Sequence, residues 1–181
     1  MRALSIDVEN KELKEINIEI QANSVYSFFS SISIDDFQII NKHIIYSDAN
    51  ALEQNKKPYF IGSQLVLGDS LILGYENMVD GEATIPSNEL ETLINYDVSE
   101  FYVDALNLLS KTEVNIYSMF ELEHNGEKLE LNCEWLLYTF NIADDKTKKY
   151  FLDELQKVIL SKDNVKEFIE KISKLALNAI S

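Results

Sequence analysis

Apolar and polar residues alternate at Leu4, Ile6 and Val8, and again at Ile16, Ile18 and Ile20. A period of two with β-branched residues predicts two half-buried strands, with 10–13 turning between them. Over 23–32 the spacing changes. Val25, Phe28, Phe29 and Ile32 recur at intervals of three and four, which predicts a short helix capped by Asn23 or Ser24. Segments 37–46 and 58–61, and the two runs flanking Gly68, read as further strands.

The middle of the chain reads as helical. Ser87 or Asn88 caps a short helix through Ile94. Asp97 and Glu100 form a D-x-x-E capping box ahead of an apolar stripe of Phe101, Ala105, Leu108 and Leu109. In 114–133, Val114, Ile116, Ser118, Phe120 and Leu122 share one face, and Leu129, Leu131 and Cys133 alternate on the return. Asn125-Gly126 between them supplies the two positive φ angles of a type I′ turn, which predicts a hairpin. Three helical segments follow. The first, 134–142, is apolar on most sides. Asp144 or Asp145 caps the second, with Phe151, Leu155, Val158 and Ile159 inward. Asp163 caps the third, with Val165, Phe168, Ile169, Ile172, Leu175 and Ala176 on one face.

These elements predict an α+β protein: an N-terminal mixed β-sheet with one short helix, then a helical segment, a β-hairpin and C-terminal helices. A loop-rich joint over 74–86 sets an N-terminal α+β unit, 1–75, against 76–181, or the two run on as one continuous domain. The 181 residues suffice to bury a real core, and 46% hydrophobic content with five Gly and two Pro argues for a folded globule. No apolar run reaches the roughly 18 residues that would span a membrane. The start, MRALSIDVEN, has acids by residue 7 and does not read as a secretory signal. Cys133 is the single cysteine, so an internal disulfide is excluded and a reducing cytoplasm is the simplest home.

Charge changes the picture most. There are 31 acids against 16 bases, a formal net of −15. From Pro58 to Ser110 the chain carries Asp69, Glu76, Asp80, Glu82, Glu89, Glu91, Asp97, Glu100 and Asp104 and no Lys or Arg at all. Such a surface repels nucleic acid and anionic membranes, whose phosphates would meet unneutralised carboxylates. It suits a basic protein partner. The acidic residues taken as the binding face are Glu76, Asp80, Glu82, Glu89, Glu91, Asp97, Glu100 and Asp104. Solubility alone is the plainer account of the same charge.

Candidate chemistry is sparse. Gly68-Asp69-Ser70-Leu71 resembles the serine block of GDSL ester hydrolases, in which a serine needs a base, an orienting acid and oxyanion donors. Ser70 with His124, preceded by Glu121, is the hydrolase alternative. His43 is the chain's other histidine. The family's Gly-x-Asn block does not follow, and its Asp-x-x-His is replaced by Glu121-x-x-His124 at a predicted hairpin tip, so the match covers four residues. Gly-Asp-Ser is also turn chemistry. A calcium-loop register over 78–90 fails, because position 12 falls on Ser87, or Gly is replaced by Ala83. Gly62, Gly68 and Gly74 recur every six residues, too few for a solenoid. Cys133 reads as core, His124 as a turn residue, and the aspartate pairs 35–36 and 144–145 as turns or caps. No cofactor and no metal is expected.

The stretches MRALSIDVENKELKEINIEI and PYFIGSQLVLGDSLILG, with a short helix between, resemble a small uncharacterised domain of phages and plasmids of Firmicutes and related bacteria. Those proteins open Met-(Lys/Arg)-Ala-Leu, run two strands into a helix and close on a Gly-flanked apolar strand. The resemblance covers about the first 75 residues and carries no functional residue with it. It implies a mobile-element origin in a bacterial host. In that setting small acidic proteins resemble inhibitors of host defence, including anti-CRISPR proteins that block RNA-guided nucleases. The expectation is therefore a non-enzymatic inhibitor of a basic host protein. A GDSL-like hydrolase is the alternative, and a structural or regulatory phage protein that forms a homo-oligomer through a helical face is a third reading.

Overall fold

The computed structural model describes residues 1–19, 24–40 and 42–180, with backbone alone for 38–40 and 178–180. The expected strand residue Ile20 and cap Asn23 lie outside the described residues. The fold is α+β, and the chain divides into two compact units, Met1–Val98 and Ser99–Ser181.

In the first unit, β1 (Arg2–Asp7) and β2 (Glu12–Asn17) pair antiparallel, as the alternation predicts. The turn sits at 8–11 and is closed by Asp7, whose carboxylate accepts from the backbone and side-chain nitrogens of Asn10 at 3.0 and 2.8 Å. Helix α1 (Ser24–Phe29) is followed by β3 (Ile34–Ile40) and β4 (His43–Asp48). Asp35 and Asp36 lie within β3 rather than at a turn or cap. Ile32, expected on the helix, is beyond its end and exposed, because Ser30 at φ 53° breaks the helix.

Then come β5 (Pro58–Ile61), β6 (Gln64–Leu67), β7 (Ser70–Glu76) and β8 (Val79–Gly81). A short helix, α2 (Ser87–Glu91), and β9 (Ile94–Asn95) complete the unit. Strands order β2-β1-β7-β4-β3 with β8 on β7, and a second sheet orders β6-β5-β9. Every described strand pairing in the unit is antiparallel, where a mixed sheet was expected, because β1–β2, β3–β4, β5–β6 and β7–β8 are each joined by a short turn and no described helix crosses over between parallel strands.

The unit runs to Val98, past the joint expected over 74–86, because β8 extends the main sheet and Ala83, Ile85 and Leu90 enter its core. Strand β7 is central, which is why its sequence is a continuous apolar run rather than an alternating one. Ile72 faces Leu4, Ile6 and Ile45, and these pack on Tyr59, Ile61 and Val66 of the second sheet. Leu71 and Leu73 face the other way, with Ala3 and Ile44, under Val25, Phe28 and Phe29 of α1. Gly74 is required where β8 returns: a Cβ there would meet the Glu82 carbonyl oxygen at 2.2 Å.

The second unit contains α3 (Glu100–Leu109), β10 (Phe120–His124), β11 (Glu127–Leu131), α4 (Cys133–Asn141), α5 (Asp145–Ser161) and α6 (Val165–Ile180). Phe151 of α5 is its hub. Its ring lies 5.7 Å from Phe101 of α3, 4.7 Å from Phe140 of α4 and 6.0 Å from Phe168 of α6, all centroid to centroid. The hairpin forms as predicted, with Asn125 at φ 52° and Gly126 at φ 82°. Its first strand starts at Phe120, not Val114. Cys133 opens α4 instead of closing a strand, and it is buried in either role.

Several caps move. Asp144 caps α5 by accepting from the Thr147 N–H at 2.8 Å, as expected. Asn132 caps α4 in the same way. The Asp97/Glu100 capping box does not form: the N-cap of α3 is Ser99, whose hydroxyl is taken by Asn141 Oδ1 at 2.5 Å. Asn164, not Asp163, caps α6, accepting from the Lys166 and Glu167 N–H groups, while Asp163 accepts from the Ser161 hydroxyl. Helix α2 begins after Pro86 and stops at Glu91, because Ile94 leaves to pair with Ile61. Leu175, expected inward, is exposed, and Ser173 takes a buried place on α6.

Candidate functional site

Ser70 starts β7 just after the turn that carries the chain from the second sheet to the main one. Gly68 makes that turn at φ 73°, and Asp69 Oδ1 holds it by accepting from the Val8 N–H at 3.0 Å. Ser70 has no solvent exposure. Its Oγ accepts a 2.5 Å hydrogen bond from the Tyr59 phenol, itself fully buried. Burial raises the Tyr59 phenol above its ordinary range.

His43 is on β4, beside β7, but the register denies it to Ser70. His43 pairs with Gly74 and Ser47 pairs with Ser70, so the imidazole is four positions away, about 13 Å at roughly 3.3 Å a residue. His43 has a different task. Its Nε2 accepts from the Thr84 and Ile85 N–H groups, each at 3.0 Å. Two donors aimed at Nε2 put the ring hydrogen on Nδ1. With the Arg2 guanidinium donating to the Ala83 and Ile85 carbonyls, this pins 83–85 to the end of the main sheet. Nothing local in the sequence signals that pairing, which joins residues 41 and 42 positions apart.

His124 is half-buried at the hairpin tip, 3.1 Å from Asn125 Nδ2. Glu121, three residues earlier on β10, points to the opposite face of the strand and is held by Lys128 at 2.9 Å. The Glu-x-x-His pair therefore does not assemble. Ser70 and His124 belong to different compact units. The serine-hydrolase alternative is left without a base hydrogen-bonded to Ser70 among the described residues.

The segment 78–90 is a β-return and a helix start rather than a cation loop. Asp80 lies in β8, and its carboxylate accepts from the Tyr46 phenol at 2.6 Å. Burial, and after it this bond, raises the Tyr46 phenol. Among the described residues no group of three or more His, Cys, Asp or Glu is arranged to hold a metal ion. Burial pushes the Cys133 thiol up to about 12, so it is a core group and not a thiolate.

The carboxylates sort into spent and free. In the first unit Arg2 pairs with Glu15, Lys11 with Asp97, Lys14 with Glu12, Lys42 with Glu76 and Lys57 with Glu9. Glu76, Asp80 and Asp97 of the predicted acidic face are thus engaged within the unit. Among the described residues, no cation lies within ion-pair distance of the exposed Glu82, Glu89 and Glu91, and Glu82 meets the Arg2 backbone N–H at 3.4 Å. Glu100 and Asp104 are exposed on α3 of the second unit.

The second unit also has an apolar cleft of about 500 Å³ among α4, α5 and α6, lined by Ile142, Tyr150 and Leu175 with Phe140 at its floor. Nothing in the sequence signals it, since Leu175 reads as core. No helix among the described residues is long and apolar enough to cross a membrane. No family model matches the chain, and no curated protein or solved structure matches it either.

Proposed function

We propose that the protein is a binding protein that engages a basic protein partner through carboxylates, and that the partner is a nucleic-acid enzyme of the RNA-guided nuclease kind, inhibited in the cytoplasm of a bacterial host. The observation that carries this reading is the fate of the cations in the first unit. Five of its six, all but Lys56, are paired with acids of the same unit, and among the described residues Glu82, Glu89 and Glu91 remain exposed with no cation within ion-pair distance. A field of that sign repels a phosphate backbone and attracts the basic surface that would hold one. Such a surface speeds encounter and sets specificity more than it adds affinity. The phage-and-plasmid resemblance of the first 75 residues supports the anti-defence setting.

The test is the joint reversal Glu82→Lys, Glu89→Lys and Glu91→Lys. It leaves the Lys42–Glu76 pair and the Tyr46–Asp80 bond intact and gives up the 3.4 Å Arg2 N–H bond to Glu82, so an unchanged melting midpoint is the folding control. The wild type is expected to slow target cleavage by an RNA-guided nuclease, and the reversal to cut the association rate about tenfold at low salt. The wild-type advantage should fade as the Debye length shrinks to roughly 3 Å near 1 M salt. An association rate flat in salt and indifferent to the reversal ends the proposal.

A further inference from the structure

Among the described residues, two hairpins close on two-residue turns with both central residues at positive φ. In the β10–β11 turn these are Asn125 and Gly126, at 52° and 82°. In the β7–β8 turn they are Asn77 and Met78, at 54° and 62°, between the closing pair Glu76 and Val79. The first is the favoured solution, since glycine pays nothing for left-handed backbone. The second places a long side chain where its Cβ crowds the following carbonyl, a strain that persists only when something else compensates. The other non-glycine residues at positive φ are Lys11, Ser30, Lys42, Asn55, Asn77, Asn125 and Lys162, all polar. Among the described residues Met78 is the apolar exception.

The strained side chain does not serve the core. Met78 is 89% exposed and Val79 beside it 65%. The tip is firmly rooted: Leu71, Ile72 and Leu73 of β7 are buried at the centre of the sheet. Lys42 holds Glu76 at 2.8 Å, and Tyr46 holds Asp80 at 2.6 Å. Glu76 and Asp80 flank the apolar pair on the two strands, the first paired with Lys42 and the second accepting from Tyr46, and the uncompensated Glu82 follows β8. The result is an exposed apolar tip on the acidic side of the unit.

We infer that the β7–β8 tip is a contact anchor, inserting Met78 and Val79 into an apolar pocket of a protein partner whose rim carries Lys or Arg. A thioether adapts to irregular pockets, and a preformed hairpin spends little entropy on ordering. Apolar anchors ringed by charge are the usual centres of interface energy. The inference rests on the proposed acidic binding role and adds where the partner is gripped and what its pocket must look like.

The variants Met78→Gly and Met78→Asn test it, since both residues accept positive φ. The probe is the soluble fraction of a Firmicutes lysate, passed over immobilised wild type, each variant and the Glu82/Glu89/Glu91 reversal, with bound proteins quantified by mass spectrometry. Each Met78 variant is expected to unfold at the same midpoint as wild type or higher, while retention of proteins released by about 0.5 M salt falls at least tenfold. A gain in stability with unchanged retention shows a turn with no contact role and overturns the inference. If the reversal loses the retained protein and both Met78 variants keep it, the acidic reading stands and the tip does not. If wild type retains nothing in a salt-sensitive way, both fall.

Discussion

Replacing Ser70 by alanine removes the acceptor of the Tyr59 phenol and little else. Both side chains are fully buried, and Tyr59 packs in the cluster of Leu4, Ile6, Ile45 and Ile72 between the two sheets of the first unit. Without the 2.5 Å bond the phenol hydrogen faces apolar neighbours. A buried donor left without a partner costs about 1–3 kcal/mol. Tyr59→Phe deletes the donor instead and leaves the buried Ser70 hydroxyl without it, at a similar cost of about 1–3 kcal/mol. In the double variant neither polar atom is stranded, so its loss is expected to fall about 1 kcal/mol below the sum of the singles, within the usual range for touching residues. Urea unfolding at constant m-value measures all four proteins. A nucleophilic Ser70 predicts the opposite pattern: Ser70→Ala abolishes ester turnover, and a fluorophosphonate labels the wild type. The structural account is refuted if Ser70→Ala unfolds within about 0.5 kcal/mol of wild type, or if the two losses add.

Further outcomes follow from single groups. Ser173 Oγ on α6 is buried with no hydrogen-bond partner, so Ser173→Ala is expected to stabilise the second unit by about 1 kcal/mol, and a lowered melting midpoint counts against this. Gly126→Val places a β-branched residue at φ 82° with nothing within 4 Å of its Cβ, so the cost is backbone strain alone, on the order of 1–3 kcal/mol; an unchanged midpoint means the turn is absent in solution. Asp35 is raised by burial first and then by Asp36 and Asp48. Its ionised form is thus disfavoured by folding above its unfolded value of 3.8. Asp35→Asn is expected to raise the melting midpoint at neutral pH. The gain should shrink as pH falls through the raised folded value and vanish below 3.8, where Asp35 is protonated in both states; a gain that persists at the acid end refutes the assignment.

What the sequence determined by itself is what a few consecutive residues can enforce. The alternation of Leu4 and Ile6 produced β1, and Asn125-Gly126 produced the hairpin because the turn needs two positive φ angles and those residues supply them. The inward residues Phe151, Leu155, Phe168, Ile169 and Ile172 were legible from helical spacing, since burying one stripe is what makes an amphipathic helix stable. The tertiary structure alone decided what each polar group does. Ser70 became the acceptor of Tyr59 and His43 the anchor of Thr84 and Ile85, through bonds that exist only once the sheet register is set. The expected acidic face was divided in the same way: Lys11 reaches Asp97 and Lys42 reaches Glu76 across long stretches of chain, leaving Glu82, Glu89 and Glu91 uncompensated. Even the caps moved from Asp97 to Ser99 and from Asp163 to Asn164. The reason is common to all of them. Backbone torsions and side-chain period are properties of neighbours in sequence, whereas partners for buried hydrogen bonds and charges come from strands and helices brought together only by packing the core.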